Sequence, residues 1–237
     1  MKHVNKVIAG AFLLSQAFSG AAFAASVTLA GDNFDFTFDD SMLGLFGPAT
    51  VADDTLYFTP VNFQAESLNG AGYALSNDAV NVQITARSGM TFANIALIEQ
   101  GGYLLLGSDS TADVSGLLWV RDAAAPLTQV TADIQTEGAL DQQGASLNSW
   151  TANASTDLSA WTGTQSVNVT VRDILLASTT AGPSVAYVDK AFVGLTVTPV
   201  PEAETYAMML AGLGLVGWRI ARRRAAPGGL GKAEASA

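Results

Sequence analysis

The chain has 237 residues, a formal net charge of −10, no cysteine and a single histidine, His3. Without cysteine there is no thiol nucleophile, no thiolate metal site and no disulfide. With the one histidine near the start, the rest of the chain can build neither a Ser-His-Asp triad nor a conventional zinc site. The acidic balance speaks against nucleic acid and anionic lipid as partners of the main body.

In chain order, Lys2 and Lys6 precede an apolar stretch over 7–18, and Ala22-Phe23-Ala24 supplies a small-x-small cleavage site. That order of regions predicts a secretory signal peptide over 1–24. The body over 25–199 is long enough for one domain with a sizeable core. Between Ser26 and Pro199 stand 18 acidic residues and only four basic ones, Arg87, Arg121, Arg172 and Lys190.

The body reads as strand after strand. Phe34, Phe36 and Phe38 alternate with Asp35 and Thr37, the period of a half-buried strand. Residues 55–68 read as one or two strands broken near Pro60, and Asn69-Gly70 is a turn signal. Val80, Val82 and Ile84 alternate with polar residues. After a turn at Arg87-Ser88-Gly89 a strand runs over 92–98, and Gly101-Gly102 is expected to turn the chain into 103–106. Further strands are expected over 114–120 and 130–135. The polar stretch 137–161 reads as a long loop pinned by Trp150 and Trp161. Val167, Val169 and Val171 mark the next strand, Ala181-Gly182-Pro183 a turn, and 185–197 the last strand. Pro199-Val200-Pro201 is expected to be an extended linker. Short strands at regular spacing define an all-β fold, an antiparallel β-sandwich of jelly-roll type.

Beyond Pro201 and Glu202 the character changes. Residues 206–218 carry no charge and are rich in Leu, Met, Ala and Gly. Arg219 follows, and Arg222, Arg223 and Arg224 close the segment. As a helix, thirteen residues measure about 20 Å, short of a bilayer core of about 30 Å. Extension to about 205–221 is expected to give a single transmembrane helix, with Arg219 lifting its head to the interface. The arginine cluster predicts a cytoplasmic C-terminal end.

The order of Pro201-Glu202, a Gly-rich apolar helix and Arg222–Arg224 resembles the PEP-CTERM sorting signal of exported bacterial proteins. The resemblance covers 200–224 and leaves 225–237 as an expected disordered tail. Ala203 stands where the motif usually has a proline. The resemblance implies processing by exosortase, a membrane cysteine transpeptidase, and a link to exopolysaccharide or matrix. It also agrees with a β-sandwich body. The sorting residues it assigns are Pro201, Glu202, Arg222, Arg223 and Arg224.

Three functions follow as expectations. The first is a non-enzymatic protein of the cell surface or extracellular matrix. The second is a glycan-binding module using Trp150 and Trp161, whose rings could stack on sugars. The third is a glycoside hydrolase built on two carboxylates. No cofactor is expected. Asp32, Asp35, Asp39-Asp40, Asp53-Asp54 and the Asp109–Asp113 stretch leave calcium as a candidate ligand, weighed against solvated turn aspartates, with no spacing that matches a known calcium loop.

Overall fold

The computed structural model describes residues 26–201 and 203–225. The expected signal peptide, Glu202 and the tail beyond Ala225 lie outside the described residues. Among the described residues, twelve strands are followed by one helix. They are β1 Ser26–Ala30, β2 Phe34–Asp39, β3 Ala49–Ala52, β4 Thr55–Phe58, β5 Gln64–Leu68, β6 Gly72–Ala86, β7 Met90–Leu106, β8 Ser110–Asp122, β9 Gln129–Thr136, β10 Asn148–Asp157, β11 Ser166–Thr179 and β12 Val185–Pro201. The helix, α1, spans Ala203–Ala225. Two short 3-10 turns, Asp40–Met42 and Gly44–Phe46, link β2 to β3.

The all-β expectation holds, but the two separate sheets of a sandwich do not appear. The strands form one antiparallel sheet in the order β1-β2-β6-β11-β8-β9-β10-β7-β12-β4-β3, with β5 paired to β12. The sheet curls almost closed: β5 also packs against β6 and β11, and β11 packs across the core against β12. Each strand contributes alternate side chains to the interior. Phe34, Phe36 and Phe38 are buried from β2, Val80, Val82 and Ile84 from β6, and Val167, Val169 and Val171 from β11. Phe34 stacks on Phe92 at 5.0 Å, and Phe46 meets Phe58 and Phe63 edge-on, each at 5.7 Å.

Three local expectations are corrected. Gly101-Gly102 does not turn the chain, for β7 runs straight through it. These glycines serve close approach instead. The Trp150 ring lies over Gly101, where a Cβ would come within 2.7 Å of it and would collide with the Asp189 carbonyl. The supposed loop 137–161 contains β10, paired with β7 along its whole length. Its interior face is Trp150, Ala152, Ala154 and Thr156. Its small and polar members conceal the alternation from a hydrophobicity reading. Finally, 199–201 is no linker. Pro199 and Pro201 end β12 opposite Phe92 and Met90, and α1 begins two residues beyond Pro201.

The helix itself forms, but it does not meet the expectation of a transmembrane span. No helix among the described residues is long and apolar enough to cross a membrane. At about 1.5 Å per residue, 23 residues measure roughly 34 Å, so apolar content is what falls short. The uncharged run is bounded by Glu204 and Arg219 and diluted by Gly212, Gly214 and Gly217.

Candidate functional site

Two features stand out against this frame: the C-terminal segment and a cluster of charge inside the body. The segment leaves the sheet at the end of β12, where the Thr91 hydroxyl donates to the Val200 carbonyl at 3.1 Å. From Tyr206 to Ile220 every side chain of α1 is exposed, including Met208 at 75%, Leu213 at 62% and Leu215 at 65%. The helix is therefore not part of the body's core. Its apolar side chains surround the axis rather than forming one inward stripe. Arg222, Arg223 and Arg224 lie in its last turns, behind the apolar run.

The interior cluster was missed by sequence reasoning. Lys190 of β12, Glu99 of β7 and Asp173 of β11 all point into the core, and all three side chains are 0% exposed. Lys190 is the only lysine between residues 26 and 201. Its Nζ donates to Glu99 Oε2 at 2.6 Å and lies 2.5 Å from Asp173 Oδ2. The second contact is an ion pair without hydrogen-bond alignment, since neither Asp173 oxygen receives a hydrogen bond and Glu99 Oε1 receives none either. The amine faces the Phe63 ring at 5.1 Å and the Phe46 ring at 6.0 Å. The Lys190 amide donates to the Phe63 carbonyl at 2.9 Å, and a bulge follows before Phe192.

Asp173 faces Gly116 across the β11–β8 pair. A Cβ at Gly116 would stand 2.9 Å from Asp173 Oδ1, so the glycine leaves room for the carboxylate. Two carboxylates and one ammonium would bring an excess negative charge into a dry core, which is costly. Burial, reinforced by the neighbouring Asp173 carboxylate, pushes Glu99 up to about 8. Glu99 therefore keeps its proton at neutral pH, leaving one ammonium and one carboxylate. A signal for the cluster was present in the sequence. Leu97-x-Glu99, Val188-x-Lys190 and Val171-x-Asp173-x-Leu175 each place a charge in phase with an apolar face.

The glycan candidates fare differently. Trp150 is 5% exposed, and its indole N–H donates to the carbonyls of Gly102 at 3.2 Å and Asp189 at 3.0 Å. It is a core residue of β10, not a loop platform. Trp161 lies in the turn after β10, half-buried against the core, its amide donating to the Leu158 carbonyl at 2.8 Å. The acidic pairs are spread among separate structural duties. Asp54 accepts from the amide and side chain of Asn33, Asp39 caps Ser41, and Asp35 pairs with Arg87 at 2.8 Å. No group of three or more potential metal-ligating side chains converges among the described residues.

A curled all-β body followed at once by an exposed helix with a basic end defines a protein whose handling signal is separate from its core. Residues 199–225 match the family model of the PEP-CTERM protein-sorting motif. The motif implies an exported precursor processed by exosortase. No curated protein matches the chain. Among solved structures, that of the infectious bursal disease virus Gt strain is similar at 12% identity and a TM-score of 0.24, covering 81% of this chain and 59% of that one. The infectious bursal disease virus VP2 subviral particle is similar at 13% identity and a TM-score of 0.21, covering 72% of this chain and 52% of that one. Scores this low give the likeness no weight in the functional argument.

Proposed function

We propose that the chain is an exported, non-enzymatic protein of the cell surface or extracellular matrix, delivered by its C-terminal segment. The observation that carries the proposal is the position of the sorting motif. It begins at the last residues of β12 and continues as a helix whose described side chains are all exposed. Such a helix needs a partner for its apolar surface, and a lipid bilayer is the one that the arginine cluster fits. An apolar run of about 20 Å is a weak anchor for a core of about 30 Å. It suits a precursor held briefly at the membrane and then cut free.

The carboxylate-hydrolase reading loses ground. Glu99 and Asp173 do converge, but both are sealed from solvent, and a polysaccharide must reach its acid and nucleophile. Glycan binding keeps Trp161 alone of its two tryptophans.

The test is fractionation and C-terminal peptide mapping of the protein from its own cells, with and without the exosortase. Expected is a body ending near Pro201 outside wild-type cells, and a tail-bearing form in the membrane fraction of cells lacking the enzyme. A tail retained on the external protein of wild-type cells would overturn the sorting role.

A further inference from the structure

We infer that Lys190 and Asp173 condense into an intramolecular amide, an isopeptide bond across the core, with Glu99 as the acid–base group of the reaction. The geometry has every part this chemistry needs. A lone amine lies 2.5 Å from one carboxylate, closer than the roughly 2.7–2.9 Å of an ordinary charge-assisted hydrogen bond. That contact is not aligned as a hydrogen bond, whereas the contact with Glu99 is. Asp173 is thus the group open to attack, and Glu99 is the group positioned to move protons. The Phe46 and Phe63 rings wall the site from water. Gly116 leaves the space beside Asp173 in which its carboxyl can change shape.

The reaction balances without any co-reactant. Lys190 first passes a proton to Asp173, giving the neutral amine and neutral acid that react, a transfer made less costly where charge is poorly solvated. The Nζ lone pair attacks Asp173 Cγ, and the N–C bond forms. Glu99 gives its proton to the developing oxyanion and takes one from the nitrogen. It then gives that proton to one hydroxyl, which departs as water as the C–O bond breaks, and takes back the proton of the remaining hydroxyl as the C=O re-forms. Lys-NH₂ and Asp-COOH become Lys-NH-CO-Asp and water, and Glu99 ends as it began. Fixing amine and acid in contact can supply an effective molarity on the order of 10⁵ M or more. The product replaces two buried charges with a neutral amide, removing the desolvation cost that makes a buried ion pair a poor stabiliser. The inference does not depend on the sorting role. It gives a cysteine-free exported body a covalent staple between β11 and β12.

The experiment uses the full chain, produced in a host without exosortase, purified folded, then denatured and digested with trypsin. Cleavage at Arg172, Lys190 and Arg219 normally releases 173–190. An amidated Lys190 resists trypsin, so the expected product is a single peptide, 173–219, lighter by one water and carrying an internal Lys190–Asp173 link by fragmentation. Peptide 173–190 should be absent from the wild type and appear at full mass in Lys190→Arg and Glu99→Gln. Strand content by circular dichroism accompanies each variant, and Glu99→Asp, which restores a carboxyl, should recover part of the link. The wild-type digest decides the bond by itself. Free 173–190 as the main wild-type product would overturn it, as would a water loss that persists in Lys190→Arg. Lys190 joined through Glu99 to peptide 88–121 would also overturn it. Full linkage in Glu99→Gln would remove Glu99 from the reaction.

Discussion

Among single residues, Trp150 and Glu99 show how burial redefines a side chain. Trp150 fills the space over Gly101 and anchors its N–H on two carbonyls. Replacing it by alanine leaves a large cavity and two unmet acceptors. Trp150→Ala should therefore lose about 3–5 kcal/mol of stability, read by urea unfolding. A loss under about 1 kcal/mol would return Trp150 to the surface. For Glu99 the sign follows from its environment. In the unlinked fold its carboxyl is raised from 4.5 to about 8 by burial first and by Asp173 second. It is protonated, and so able to act as an acid, below about 8, and ionised above. Refolding the unlinked chain from denaturant at a series of pH values should give a linking rate that is level up to about 8. Above that the rate should fall about tenfold per pH unit. A rate that climbs between pH 8 and 10, as for a free amine acting alone, would contradict the role.

Strands and helix carry their own lesson. β10 escapes a hydrophobicity reading because its inward residues include Ala152, Ala154 and Thr156, which do not mark a strand face. Its existence depends on the ten-residue ladder to β7. By contrast, α1 is legible from composition, and its described side chains lie outside the core. All its described side chains from Tyr206 to Ile220 are exposed. A chain ending at Pro201 should accordingly melt within about 2 °C of the full chain in detergent, followed by circular dichroism. The full chain should associate with liposomes, and the shortened chain should not. A drop of 10 °C or more would mean that the helix stabilises the body.

At the level of the whole molecule, the curl of one sheet places β11 against β12, and with it Asp173 against Lys190. Neither strand pairs with the other, since β11 lies between β6 and β8 while β12 lies between β7 and β4. The charge cluster thus ties together walls that the hydrogen-bond ladder leaves separate. Around it the acidic surface repels itself, while the core supplies the apolar burial.

The period-two alternation of Phe34–Phe38, Val80–Ile84 and Val167–Val171 is a local property, and it was enough to make the body all-β. Composition alone removed thiol and imidazole chemistry from the body. The order of Pro-Glu, apolar run and arginines was enough to identify the sorting motif, because such a motif is read along the chain rather than in space. Only the tertiary structure decided that the sheet is single and nearly closed, that Gly101-Gly102 continues a strand, and that Trp150 is core. Only it brought together Glu99, Asp173 and Lys190, for β11 pairs with neither β7 nor β12 in the sheet. Each of these depends on which strands become neighbours, and alternation says which face is buried without saying what that face meets.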